Sequence, residues 1–384
     1  MKKVRNPIAI HVPFLGGGGA ERAMANLATE IVSRGVNVDI VVSDRERSTY
    51  TSDIDHRVRI YDLGVKRHLL GMLSLVQYLR ANRPDYLITV QPPSHPLAIV
   101  ACKLAGVSTK CVASVQNYHS VEFKSGVSLM RRLVLATFPH ALRRADHVFA
   151  VAERVKEDIV ENFNVPSEDV EVVHNPIAAP GIAERAEEQV NHPWFMEDSV
   201  PVIVAVGRLA PQKNYPLLLR ALARVVKHRP ARLIILGEGE RRNELQKLAK
   251  DLAVEEEVDM PGFVDNPFAY MRSADVYALS SNWEGLPSVL IEALAVGCNI
   301  VATDCLSGPR EILDDGQYGR LVPVDNEVAL ADAIRDALND TDIDRSSRRE
   351  RARAFSPSAV ADRYLHLLFG EERTNSAGVH SAQA

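Results

Sequence analysis

Val-Ile-Val-Ala-Val-Gly-Arg-Leu-Ala-Pro-Gln-Lys-Asn, residues 202–214, leads into the leucine-rich stretch Pro216–His228. Val202–Val206 reads as a strand, the segment opened by Gly207 as a loop, and the leucine-rich stretch as a helix. A strand feeding a helix through a short loop is the unit of a parallel sheet with crossover helices. Leu233–Leu236, Val258–Met260, Val276–Ala278 and Asn299–Ala302 are further strand candidates of this series. An earlier series has the same form. Strand Ile8–Val12 leads to the glycine loop Gly16–Gly19, then to a helix over Ala20–Arg34 closed by Gly35, then to a strand over Val36–Ser43. Tyr86–Val90, Cys111–Val115 and His147–Ala150 continue it. Residues 178–200, rich in Ala, Glu, Pro and Asn, read as linker and surface structure. The chain is therefore expected to be α/β, with two doubly wound, Rossmann-like domains facing a cleft, at residues 1–178 and 179–356. Ligands in such folds bind at the carboxyl ends of the strands. Pro357–Phe369 reads as an amphipathic helix, and 371–384 as a polar, disordered tail.

The composition narrows the class. A length of 384 residues suits two domains, and 46% hydrophobic with 25% charged residues suits a soluble globular protein. Cys102, Cys111, Cys298 and Cys305 show no metal spacing and read as buried thiols of a reducing, cytoplasmic compartment. Pro7 and His11 precede any long apolar run, so no signal peptide is expected, and no stretch is long enough to span a bilayer. A net charge of −5 argues against a nucleic-acid partner. The charge is uneven, however: residues 66–145 carry 11 basic residues and only 2 acidic ones, Asp85 and Glu122. A basic patch on one domain implies a local anionic partner, such as a phospholipid surface or a pyrophosphate-bearing acceptor. Residues 121–145 interleave Lys124, Arg131, Arg132, Arg143 and Arg144 with Phe123, Leu129, Met130, Leu133, Leu135 and Phe138. This suits a helix lying on an anionic membrane, and equally a core helix with a charged outer face.

Residues 281–297, Ser-Asn-Trp-Glu-Gly-Leu-Pro-Ser-Val-Leu-Ile-Glu-Ala-Leu-Ala-Val-Gly, carry the strongest chemical signal. Pro287 suits the first turn of a helix and Gly297 its C-cap. Glu284 then precedes the helix and Glu292 lies two turns in, roughly 12 Å apart at helical rise. A glycosidase needs carboxylates about 5 to 9.5 Å apart, so this pair instead suits the two ends of one extended ligand. Free N–H groups over Gly285, Leu286, Pro287 and Ser288 suit an anion such as a diphosphate between them. Gly17, Gly18 and Gly19 allow close backbone approach to a ligand, but the dinucleotide fingerprint fails there because its last glycine would fall on Arg22. It also fails at Gly237-Glu-Gly239, where the last position is Arg242, which disfavours a nicotinamide enzyme. Arg208 and Lys213 place two cations at a strand end. His119, after the strand Cys111–Val115, reads either as a structural or solvated histidine or, at a strand's carboxyl end facing a cleft, as a contact to a sugar hydroxyl or a developing charge. No acidic cluster stands out as a metal site.

With these motifs assembled, the chain resembles the family 4 retaining glycosyltransferases of the GT-B fold. The likeness covers nearly the whole chain. It rests on Gly207-Arg208-Leu209 with Lys213, Leu236-Gly-Glu-Gly239, Pro261-Gly262-Phe263, Glu284 to Glu292 and Gly308-Pro309-Arg310-Glu311. The glycine loop with Ala20-Glu21-Arg22 adds to it. The resemblance implies that Glu284 binds the donor sugar's hydroxyls and Glu292 the ribose. Arg208 and Lys213 would neutralise a departing diphosphate in place of a metal. The backbone near Gly262 and Phe263 would frame the base, the glycine loop would approach the phosphates, and the helix within 357–370 would cross back to the first domain. The expected reaction is transfer of a hexose or N-acetylhexosamine from a UDP-sugar, with no further cofactor, to a lipid-linked or polysaccharide acceptor at the inner face of the plasma membrane. A sugar-nucleotide epimerase and a non-catalytic nucleotide-sugar-binding subunit share the architecture. The Glu284/Glu292 pair with Arg208 and Lys213 favours transfer.

Overall fold

The computed structural model describes residues 6–16, 18–46, 48, 54–65, 68–124, 129–196, 200–340 and 344–370, with the side chains of 68–70, 122–124 and 129–135 outside that description. The chain divides into two compact units, Met1–Ile177 with Phe355–Ala384, and Ala178–Ala354.

Unit 1 runs β1 (Ile8–Val12), α1 (Gly19–Ser33), β2 (Val38–Val42), β3 (Arg59–Asp62), α2 (His68–Asn82), β4 (Tyr86–Thr89), α3 (Ser94–Ala105), β5 (Lys110–Val115), α4 (His119–Lys124), α5 (Leu129–Leu142), β6 (His147–Ala150), α6 (Glu153–Phe163) and β7 (Val170–Val172). Its strands are parallel, in the order β3-β2-β1-β4-β5-β6-β7. β1, β2 and β4 are buried throughout, as strands covered on both faces must be. The one charge inside them is Asp39 of β2. It accepts hydrogen bonds from Tyr78 Oη at 2.6 Å and Arg59 Nε at 2.9 Å, so its burial leaves no unpaired oxygen.

Unit 2 runs α7 (Gly181–Ala186), β8 (Val202–Val206), α8 (Tyr215–Val225), β9 (Arg232–Leu236), α9 (Arg242–Asp251), β10 (Val258–Gly262), α10 (Pro267–Ser273), β11 (Val276–Leu279), α11 (Ser288–Val296), β12 (Ile300–Thr303), α12 (Pro309–Ile312), β13 (Arg320–Val322), α13 (Glu327–Ala337) and α14 (Arg345–Ala352). Its parallel sheet has the order β10-β9-β8-β11-β12-β13. In both sheets the order reverses beside the first strand, between β1 and β4 and between β8 and β11. A ligand crevice forms at the carboxyl ends of strands at such a reversal.

The last helix, α15 (Pro357–Phe369), belongs to unit 1 and packs on α1. Its N-cap Ser356 accepts from Ala359 N at 3.3 Å. Val360, Ala361, Tyr364, Leu365 and Leu368 are buried. Arg34, the C-cap of α1, reaches Ser358 O at 2.9 Å and Asp362 at 2.5 Å, and Tyr86 Oη donates to Leu368 O. These bonds fix the register of the returning helix.

Two expectations need correction. Residues 178–200 are not a simple linker: α7 lies within them and packs on α10 and α11, with Ile182, Ala186 and Val190 buried. The four-residue spacing of these apolar positions was masked by the glutamates between them. β3, β7 and β13 were missed because each is short, at or next to a sheet edge, and carries charged residues such as Arg59, Glu171 and Arg320. Residues 371–384 lie outside the described residues.

Candidate functional site

The reversal of the second sheet brings two segments together. β8 ends at Val206, and Gly207 leaves it with φ +155°. β11 ends at Leu279, and Ser280 to Glu284 follow. Between them stands a buried ion pair. Lys213 Nζ donates to Glu284 Oε1 at 2.7 Å, and Ser281 Oγ donates to the same oxygen at 2.6 Å. Gln212 Nε2 reaches Glu284 Oε2 at 3.3 Å and Trp283 O at 3.0 Å. Glu284 is only 5% exposed, so the carboxylate is held by three side chains rather than by water. Sequence reading chose Glu284 and Lys213 but missed Gln212 and Ser281. Their signal was adjacency: one precedes the lysine, and the other opens the 281–297 stretch.

Glycines shape the floor. A Cβ on Gly207 would stand 2.9 Å from Lys213 Cε and 3.0 Å from Tyr215 Oη. Gly207 N donates to Leu236 O at 2.9 Å, and Leu209 N to Glu238 O at 2.9 Å. These bonds zip the loop after β8 to the loop after β9. Gly237 N donates to Gly262 O at 2.7 Å, which ties in the end of β10. There Phe263 is 76% exposed, an apolar ring at a strand's carboxyl end. Arg208 is exposed; its carbonyl accepts from Ala210 N at 2.8 Å, and its guanidinium has no hydrogen bond or ion pair among the described residues.

α11 begins at Ser288 with Pro287 as its N-cap, and Gly297 closes it in the left-handed conformation at φ +79°. Glu292 therefore lies about one turn in, not two, and residues 284–287 are non-helical, so the helical-rise estimate of the Glu284–Glu292 separation does not hold. Proline also brings no N–H. The N–H groups of Gly285, Leu286, Ser288 and Val289 find no acceptor among the described residues, whereas Leu290 N bonds Pro287 O at 3.0 Å. A row of unmet donors at a helix start suits an anion. The Gly308 segment braces it: Ser307 Oγ donates to Gly285 O at 2.7 Å, and a Cβ on Gly308 would meet Pro287 Cδ at 2.3 Å. Glu292 is 2% exposed. Tyr277 and Tyr215 are buried nearby, and burial pushes both hydroxyls well above the usual tyrosine range. Among the described residues no group of three or more His, Cys, Asp or Glu could hold a metal ion.

In unit 1, Gly17 lies outside the described residues. Gly18 is the N-cap of α1 and Gly19 its first residue. The Glu21 carboxylate already lies over this loop, with Oε2 2.3 Å from where a Gly18 Cβ would be, and it accepts from Gln91 Nε2 at 3.2 Å. A diphosphate approaching there would meet a like charge. His119 opens α4, is buried, and packs edge-on to Phe138 with ring centroids 5.3 Å apart. α4 and α5 are helical, but the side chains at 122–135 that motivated the membrane-helix reading lie outside the described residues.

The first sheet's reversal holds two histidines that sequence reading passed over. His11 is the penultimate residue of β1, and His95 is the second residue of α3, the helix that follows β4. Thr89 Oγ1 donates to Val112 O at 3.2 Å and so accepts from His95 Nδ1 at 2.6 Å. That fixes the tautomer and leaves His95 Nε2 without a partner. Burial pushes His11 down to about 4 and His95 down to about 3. Both are neutral when folded and free to protonate when unfolded. Between pH 6.5 and about 4 the unfolded chain binds more protons, so stability is full above 6.5 and is lost as pH falls. The expected slope is at most about 1.4 kcal/mol per pH unit for each histidine. Urea midpoints at pH 7 and 5 test this. The double variant His11→Asn/His95→Asn should flatten the profile, and an equally steep profile in that variant would refute the assignment.

Comparison with known proteins places this geometry. Residues 187–355 match the model described as "Glycosyl transferases group 1", and residues 17–179 match that described as "Glycosyltransferase Family 4". The N-acetylgalactosamine-N,N'-diacetylbacillosaminyl-diphospho-undecaprenol 4-alpha-N-acetylgalactosaminyltransferase of Campylobacter jejuni is 30% identical over 383 residues, covering 94% of this chain and 99% of that protein. The lipopolysaccharide core biosynthesis glycosyltransferase LpsE of Rhizobium meliloti is 27% identical, covering 93% of this chain and 98% of its own length. Among solved structures, Anabaena Alr3699/HepE in complex with UDP-glucose superposes with a TM-score of 0.79 at 19% identity, covering 94% of this chain and 99% of that one. The lipopolysaccharide outer core galactosyltransferase WaaB superposes at 0.71 with 21% identity, covering 95% and 99%. The chain belongs to the family 4 glycosyltransferases of the GT-B fold.

Proposed function

We propose that the protein moves a hexose or N-acetylhexosamine from a UDP-sugar to a lipid-linked or polysaccharide acceptor of the cell envelope, with retention of configuration and without a metal ion. The observation that carries this reading is the buried Lys213–Glu284 pair beside the unmet N–H row at the start of α11. Charge grows on the diphosphate as the glycosidic bond breaks. Lys213, the exposed Arg208 and the preplaced N–H groups stabilise that charge without reorganising. Glu284, oriented by Lys213, Ser281 and Gln212, receives the donor sugar's hydroxyls, and Glu292 receives the ribose. Gly262 and Phe263 frame the base.

The relatives support this reading of the donor and acceptor classes. The Campylobacter protein's name specifies a diphospho-undecaprenol acceptor, and Alr3699/HepE has been crystallised with UDP-glucose. A protein working on such an acceptor would be peripheral on the cytoplasmic face of the membrane. A thermal-shift screen against UDP, GDP, ADP and their sugars tests the donor. At 100 times the dissociation constant, one-site linkage gives about 2.7 kcal/mol of stabilisation. The expected result is a shift with the uridine series alone, lost in Arg208→Ala. A shift confined to another base would overturn the UDP assignment, and no shift at all would overturn the donor site.

A further inference from the structure

Among the described residues of unit 1, every large apolar side chain that is exposed lies on two helices: Leu73 of α2, 58% exposed, and Val100 and Leu104 of α3, 45% and 50% exposed. Val100 and Leu104, four residues apart, share one face. α2 and α3 pack side by side. Arg80 of α2 donates to Leu104 O at 2.7 Å and Ala105 O at 3.3 Å, which places it over the C-terminal end of α3. Leu73, two turns before Arg80, lies on the same stripe of α2. Lys103 adds an exposed ammonium beside Leu104, and α5 packs against α3.

The charge on this layer has one sign. Across the 15, 12 and 14 residues of α2, α3 and α5 there is no Asp or Glu. At the chain's frequency of 50 acidic residues in 384, about five would be expected in that length. The other long helices of the early chain are not like this. α1 carries Glu21 and Glu30, and α6 carries Glu153, Glu157, Asp158 and Glu161. Soluble surfaces ordinarily intersperse both signs. Exposed leucine and valine beside arginine and lysine, with no carboxylate, match a surface that is negative outside and hydrocarbon inside. No described helix is long and apolar enough to cross a membrane, so such contact is interfacial.

We infer that the α2–α3 face of unit 1 docks on an anionic phospholipid surface. Leu73, Val100 and Leu104 enter the headgroup boundary, Lys103 pairs with lipid phosphate, and Arg80 adds positive charge at the C-terminal end of α3. The inference rests on the reading of a lipid-borne acceptor. Its test uses neither donor nor acceptor, so the two readings fail separately.

The test is flotation of the full chain with phosphatidylcholine vesicles, with and without phosphatidylglycerol. The protein is expected to float only with the anionic vesicles and to be released by salt. Lys103→Glu/Leu104→Glu should lower partition by about tenfold or more, taking about 1 kcal/mol per basic residue at the surface. Lys247→Glu, an exposed charge reversal on α9, should stay within about twofold. Leu73→Glu is an independent variant of the same patch, should the first pair fail to fold. Equal partition onto neutral and anionic vesicles, or equal loss in Lys247→Glu, overturns the inference. So does a concentration-dependent dimer that Leu104→Glu dissolves without any vesicle binding, which would assign the face to a second copy.

Discussion

Lys213→Ala is expected to cut kcat/KM for sugar transfer by about 10³-fold, at the upper end of what loss of one preorganised charge donor costs. It should also destabilise unit 2 by roughly 3 to 5 kcal/mol, because Glu284 is left buried without its cation. The two effects have separate origins, and a second substitution divides them. In Lys213→Ala/Glu284→Ala no charge remains buried, so much of the lost stability should return. Activity should not, since neither the diphosphate's cation nor the sugar's carboxylate is restored. Ser281 and Gln212 still donate to Glu284 at 2.6 Å and 3.3 Å in the single variant, which keeps the carboxylate in place while removing its charge partner. Denaturant midpoints and transfer rates on the wild type, Lys213→Ala, Glu284→Ala and the double variant give the coupling directly. Additive stability losses would mean the pair is not energetically coupled. Activity surviving in the single variant would remove Lys213 from the phosphate role.

The fold was legible because its information is local. Buried strands such as Val202–Val206, apolar throughout, and Ile8–Val12, apolar but for His11, are followed by loops that carry the glycines a crossover needs. β13 was not legible: Arg320 belongs to an edge strand, where it pairs with Asp340 at 2.8 Å and reads as surface. The site was half legible. Glu284, Lys213 and the α11 start were found because they lie in two short stretches of unusual composition. What could not be read was which neighbours saturate Glu284, or that Glu21 lies over the first glycine loop. Those facts depend on bringing together segments 70 residues apart, such as Gln91 with Glu21. His11 and His95 were invisible for a related reason. A histidine in an apolar run shows neither its burial nor its tautomer until Thr89 and Val112 are placed beside it.

Gly237→Ala should have the largest stability effect of any single methyl group added to unit 2. Its φ is +136°, which L side chains rarely adopt, and its Cβ would stand 2.1 Å from Gly207 O and 2.9 Å from Gly207 C. The obstacle is backbone, so no rotamer can relieve it. Gly207 itself is held by its N–H on Leu236 O at 2.9 Å and carries Lys213 against it, so moving it drags the centre of the site. Backbone strain and overpacking each cost about 1 to 3 kcal/mol, which puts the expected loss near 4 kcal/mol. Gly106→Ala is the control. Its φ is +65° and nothing lies within 4 Å of its Cβ, so only the left-handed penalty of about 1 to 2 kcal/mol applies. Gly207→Ala falls between them, because part of what its Cβ meets is the flexible Lys213 chain at 2.9 Å. It should therefore lose more activity than stability, since the lysine yields by leaving Glu284. Denaturation and transfer assays on the three variants should order them Gly237, Gly207, Gly106 in stability loss. If Gly237→Ala cost no more than Gly106→Ala, the two loops would not be in the close contact that brings Gly207 and Lys213 to the site.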